Sequence, residues 1–179
     1  MRKFFVSLMF FAFVIIAFTA CSGNREQAVK VEDPVTIEQV NTDSGFVARA
    51  FIESVFTEDR EMFHSCYPDG FVDAVGQAAG VDFFDEYTKS AKIRDGIVGT
   101  ASTGQTDYTV ENGYDAAYMR SRISFATGIE YDLIGQIRLQ TVTAVFTNGT
   151  ERGDMMFQFV VFEIDGSWYM FERYTGEGS

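Results

Sequence analysis

Apolar residues return at helical spacing through the middle of the chain and at strand spacing towards its end. Phe46, Val47, Ala50, Phe51, Ser54 and Val55 recur every three or four positions, the mark of one buried helical face. Asp43 or Ser44 suits the cap of that helix, since a short side-chain oxygen accepts an orphan N–H of the first turn. Arg49, Glu53 and Glu58 fall on its other faces. A second, short helix is expected from Glu58-Asp59-Arg60-Glu61 through His64 or Cys66, broken by Pro68-Asp69-Gly70. Phe71 to Ala79 reads as a third helix with Gly80 as its stop. Asp82 caps a fourth that runs to about Arg94, with Phe83, Phe84, Tyr87, Ala91 and Ile93 on its apolar side. Gly96 to Thr106 carries three glycines and is either a loop or a weak strand. Thr106 to Glu111 alternates as a strand, and Asn112-Gly113 stops it.

Tyr114 to Thr127 fits two periods. In a helix, Tyr114, Ala117, Tyr118, Ser121 and Phe125 share one side. In a strand, Met119, Ser121, Ile123 and Phe125 alternate against Arg120, Arg122 and Ser124. The helix is favoured, because Gly128 follows as a natural stop and the two arginines fall in its later half.

Ile137 to Tyr174 reads as three strands joined at Asn148-Gly149 and Asp165-Gly166. Both dipeptides tolerate the positive φ angles of a type I′ turn. Polar Glu151 to Asp154 points to a first loop longer than two residues. In the second hairpin, Ile164 is expected opposite Ser167, Glu163 opposite Trp168, Phe162 opposite Tyr169, Val161 opposite Met170 and Val160 opposite Phe171. One face then holds Val160, Phe162, Tyr169 and Phe171. The other holds Phe157, Phe159, Val161, Trp168, Met170 and Tyr174. Both faces are apolar, whereas a sheet with one wet face alternates apolar with polar. Helices are expected on one face, and further helix, a pocket or a second chain on the other.

The chain opens with Arg2-Lys3 and an apolar run, Phe4 to Phe18, interrupted only by Ser7. This is the pattern of a secretory signal, covering residues 1–20. Phe18-Thr19-Ala20-Cys21 resembles the lipobox of bacterial lipoproteins, with Phe18 where leucine is usual. The resemblance implies cleavage before Cys21, a lipid on its sulfur, and a place on the outer side of the cytoplasmic membrane, or on an outer membrane if one exists. An ordinary cleaved signal or an uncleaved anchor is the alternative. Residues 21–41 read as a polar tether, and residues 42–179 as one domain. The net charge is −12, and the only charges in the first twenty residues are basic, so the remainder is more acidic still. That balance argues against nucleic acid, which needs a basic surface, and against unaided docking on anionic lipid.

His64 is the only histidine. With Tyr67, Asp69 and Asp73 near it in sequence, it is a candidate acid–base group at a pocket mouth. The simpler reading, a solvated histidine ending a surface helix, is favoured. Only His64 is close enough in sequence to lower the Cys66 pKa, and Asp69 would oppose it, so Cys66 reads as a buried small residue. Two acidic groups, Asp82 with Asp85 and Glu86, and Glu58 with Asp59 and Glu61, lack the spacing of a calcium loop. No metal set and no cofactor motif is evident. Asn148-Gly149-Thr150 matches a glycosylation acceptor, but a hairpin turn accounts for it. Trp168, Met170 and Tyr174 are the candidate contacts for a ligand or partner, with His64 and Tyr67 beside them.

The order of elements resembles the nuclear transport factor two-like superfamily, a cone-shaped α+β fold also grouped with the cystatin-like folds. Phe46 to Phe56 and the hairpin Val160 to Phe171 carry the resemblance. It implies N-terminal helices on a curved antiparallel sheet whose last three strands form a meander. It implies no activity, because that fold hosts enzymes, adaptors and binding domains alike. Three functions stay open at this point. The first is a membrane-anchored binding domain for a small ligand, a peptide or an envelope protein. The second is a pocket hydrolase or isomerase using His64 or an aspartate–tyrosine pair. The third is a structural envelope protein that dimerises through its sheet face.

Overall fold

Among the described residues, four helices precede the first strand. They are α1 (Ser44–Thr57), α2 (Arg60–Ser65), α3 (Phe71–Ala79) and α4 (Phe83–Ser90). Strand β1 (Ile97–Asp107) and helix α5 (Ala116–Thr127) follow, then a short 3-10 turn (Tyr131–Leu133). Strands β2 (Ile134–Asn148), β3 (Glu151–Ile164) and β4 (Ser167–Arg173) complete the order. The structure is a computed structural model that describes residues 29–90, 96–108, 115–148 and 151–174. Cys21 and the expected signal segment, residues 1–20, lie outside these residues. Helix starts follow short acidic caps: Asp43 accepts from the Gly45 N–H, Asp59 from Met62 and Asp115 from Ala117. Gly80 and Gly128 end α3 and α5 in the left-handed conformation, which costs glycine least. Helix α5 thus takes the helical alternative for the ambiguous stretch.

The fold class is α+β, with helices on a four-stranded antiparallel sheet of order β1-β2-β3-β4. The first strand lies earlier than its alternation suggests. Gly96 to Thr106 supplies most of it, and Tyr108 has already left it; residues 109–111 of the expected strand lie outside the described set. The glycines that weakened that reading have a packing role. A Cβ at Gly99 would stand 2.4 Å from Val31 Cγ1, so only glycine admits the N-terminal segment here. In the first hairpin Asn148 pairs with Glu151, so pairing resumes sooner than the polar residues suggest.

At the second hairpin Asp165 and Gly166 take φ 49° and 83°, as a type I′ turn requires. Pairing follows expectation from Ile164 with Ser167 to Val161 with Met170. It then slips. Val160 faces Glu172, not Phe171, because β4 carries one extra residue. An extra residue moves everything beyond it to the opposite face. Arg173 therefore joins the Phe157 side, with its guanidinium 5.1 Å from that ring, and Tyr174 joins the Phe162 side.

Each sheet face has its own core. Helices α1 to α4 cover Val142, Ala144, Phe157, Phe159, Val161, Trp168 and Met170. The other face buries Ile137, Leu139, Val160 and Phe162 under Met119 and Ile123 of α5. The second apolar face is thus covered within the chain.

Residues 29–41 of the expected tether belong to the folded domain. Val35 and Val40 are buried with the α1 core, and Asn41 stitches distant elements. Its amide donates to the carbonyls of Ser65 (3.0 Å) and Trp168 (2.8 Å), and its own carbonyl accepts from the Trp168 N–H at 2.9 Å. Arg49, expected on a solvent face, is only 2 % exposed. It donates to Glu32, to the carbonyl of Asp33, to Thr100 (3.0 Å) and to Glu53 (3.3 Å). A buried guanidinium needs such partners, and here most come from residues 32–33 and from β1. The domain therefore begins at or before Val29, whose carbonyl accepts from Arg152 at 2.9 Å.

Candidate functional site

Two surfaces stand out. The first is a hollow of about 230 Å³ between α2 and the start of α3, lined by Glu61, His64, Ser65, Pro68, Asp69, Gly70 and Val72. Pro68 stops α2, and Gly70, at φ 74°, turns the chain into α3. That turn brings Asp69 and Val72 up to the last turn of α2. The His64 ring leans edge-on against Phe63, with centroids 6.4 Å apart. Its Nε2 is buried and meets no hydrogen-bond partner among the described residues. The Ser65 hydroxyl donates to the Glu61 carbonyl at 2.9 Å.

Proximity in sequence foretold only part of this arrangement. Asp69 does join His64 at the hollow. Asp73 is exposed and does not line it. Tyr67 is 3 % exposed and points into the core, stacked on Phe71 at 5.4 Å and against Phe63. Burial pushes its phenol well above the usual range, so it is not a poised acid or base. Cys66 is wholly buried, and desolvation, reinforced by Glu53 and Asp59, raises its thiol well above the ordinary value. A thiol held neutral in this way is a packing residue, as its sequence context suggests.

Trp168 and Met170, 8 % and 1 % exposed, sit in the core under the helices rather than at a pocket. The guanidinium of Arg138 closes over the indole at 4.6 Å. Tyr174 lies on the opposite face because of the β4 bulge. The three residues expected to form one contact surface are therefore split by the sheet. Among the described residues, no group of His, Cys, Asp and Glu is arranged to hold a metal ion. Asp82 and Asp85 instead pair with Arg60, at 2.8 and 2.7 Å.

The second surface is the outer side of α5. Met119 and Ile123 turn inward, which rotates Tyr118, Ser121 and Phe125 outward. Phe125 is 91 % exposed and Tyr118 is 57 % exposed. Sequence periodicity grouped these residues correctly but did not say which way the group faces. Both sides of the helix are apolar, and only the sheet chooses between them. Arg122 is bound to Glu172 by two contacts of 2.9 Å, and Arg120 donates to the Gly135 carbonyl at 2.8 Å. The charges left towards solvent around the stripe are Asp115, Glu130 and Asp132. No helix among the described residues is long and apolar enough to cross a membrane. No family model, curated protein or solved structure matches the chain.

Proposed function

We propose that this chain is an exported, lipid-anchored interaction domain that docks a protein of the cell envelope through the outer face of α5. The observation that carries the reading is Phe125, a large aromatic side chain 91 % exposed and about two turns from Tyr118 on the same side of the helix. Exposed aromatics grouped on one element mark contact surfaces, and aromatic residues are the usual anchors of such surfaces. The architecture is in keeping with a nuclear transport factor two-like fold whose interior is filled by aromatic side chains.

The lipobox-like segment supplies the anchor at Cys21, and the rest of the chain supplies an orientation. Seven residues, 22–28, separate Cys21 from Val29. Fully extended, they hold the domain within about 30 Å of the lipid. Val29 is fastened to Arg152, at the start of β3. Helix α5 covers Val160 and Phe162, roughly 30 Å further along the same strand at the usual rise per residue. The aromatic stripe therefore faces away from the anchored end, towards a protein rather than the bilayer. The acidic rim and the net charge of −12 disfavour a second copy and favour a partner with basic side chains around an apolar cleft.

The test uses the full lipidated chain in its membrane, with a photo-crosslinking residue at position 125 or, as a control, at exposed Val98. A partner identified from the position-125 adduct is then purified. It should bind the domain in a salt-sensitive manner, and Phe125→Ser with Tyr118→Ser should weaken that binding at least about tenfold, the loss of 1.4 kcal/mol or more. Adducts only to lipid or to another copy would overturn the reading, as would binding indifferent to both substitutions.

A further inference from the structure

On the premise that α5 is the docking face, we infer that α5 is itself the ligand: it enters, as a helix, a long apolar groove of the partner whose two ends are basic. Tyr118 and Phe125 are its two anchors. Shape, spacing and charge point the same way.

Only Met119 and Ile123 of the 12 residues of α5 are buried, so the helix stands out from the sheet as a ridge. A convex ridge is matched by a concave surface, and the recurrent way to hold such an element is a helix laid in an apolar groove. Grooves of that kind read anchors three, four and seven residues apart. Tyr118, Ser121 and Phe125 have that spacing, and all three are exposed. Seven residues advance about 10 Å along the axis and end within about 20° of the starting direction. Tyr118 and Phe125 therefore fill two pockets about 10 Å apart, and the small Ser121 leaves room for the groove floor between them.

Charge fixes the ends of the groove. Asp115 precedes the helix, and Glu130 and Asp132 follow it, all exposed. The arginines that flank the ridge are turned to the domain instead. Arg122 holds Glu172, and Arg120 holds the Gly135 carbonyl, with its guanidinium 5.5 Å from the Tyr131 ring. The ridge thus presents aromatic anchors along a helix about 18 Å long and is acidic at both ends, which basic groups at the two ends of the groove complement. A second copy is a poor host. Its own ridge is equally convex and acidic at the ends, and the hollow on α2 and α3, about 230 Å³, is too small for a helix about 10 Å across.

The full lipidated chain in its membrane carries the photo-crosslinking residue at position 118, 121 or 125 in turn. All three should give adducts with the same envelope protein, and the adducts from 118 and 125 should map to different sites on it. Binding of each variant to the purified partner is then titrated at low and high salt. Tyr118→Ala and Phe125→Ala should each weaken binding at least about fivefold, as loss of an aromatic anchor does. Ser121→Trp should abolish it by holding the helix out of the groove. Glu130→Gln with Asp132→Asn should flatten the salt dependence. All these positions are exposed, so melting temperatures should stay unchanged. No protein adduct at 125 would remove the docking face itself. A protein adduct at 125 with none at 118, or binding that survives Tyr118→Ala or Ser121→Trp, would leave α5 a docking face and overturn the groove. An unaltered salt dependence in the acidic double variant would overturn its basic ends.

Discussion

Phe162 has no exposed surface and meets Tyr169 and Phe171 at 6.0 and 6.5 Å between ring centroids. Phe162→Ala should therefore cost about 3–5 kcal/mol, the usual range for an aromatic deleted from a core. Urea unfolding measures it, and a loss below about 1 kcal/mol would mean that α5 does not cover this face. Tyr87 offers a pH test on the other core, where its ring packs edge-on against Phe51 and Phe83. Burial raises its pKa from 10.0 to about 12. Between those values the unfolded chain has lost the phenolic proton and the folded chain retains it. The native state then binds more protons, so stability is complete below about pH 10 and falls as pH rises towards 12. Denaturant midpoints should drop through this window, and Tyr87→Phe should make the drop shallower. Tyr67, raised by burial as well, carries part of what remains. Equal slopes for both proteins would show that Tyr87 ionises without hindrance.

Helix α5 has two apolar sides with opposite fates. Met119 is 1 % exposed and Phe125 is 91 % exposed. Met119→Ala should destabilise the fold by about 2–5 kcal/mol, as deletion of a buried methionine does. Phe125→Ser should stay within about 0.5 kcal/mol, as expected for a surface site. Thermal melts of both variants test the direction the helix faces, and the opposite ranking would remove the basis for docking there. Strand β4 makes a related point. Its bulge leaves Trp168 and Met170 with one core and hands Tyr174 to the other. Face assignments by alternation hold up to the extra residue and reverse beyond it.

At the scale of the molecule, anchoring is the expectation that matters most. Fatty-acid labelling should mark the chain, and Cys21→Ser should abolish the label and release the protein from membranes. A mature protein beginning at another residue would defeat the lipid-anchor reading. The short spacer adds a geometric consequence. A fluorophore near Arg152 should be quenched by lipid-borne quenchers more strongly than one at Phe125. Inserting a long Gly-Ser stretch between Cys21 and Val29 should remove the difference, since a flexible linker frees the orientation.

The local chemistry of the chain was enough for its helices, their caps and the tight final hairpin. Asp43, Asp59, Asp115, Gly80, Gly128 and Asp165-Gly166 act through bonds and φ angles within a few residues, so their roles are legible in one dimension. The candidate site was legible only in part. His64 and Asp69 meet because Pro68 and Gly70 turn the chain between them. Which apolar stripe of α5 is wet, which face receives Tyr174, and how far the N-terminal segment belongs to the domain were decided by tertiary structure. Each depends on a partner far away in sequence: β2 and β3 beneath α5, Val160 opposite Glu172, and Arg49 reaching Glu32 and Thr100. Periodicity can group residues on a side, but only the element packed against that side decides whether it meets protein or water.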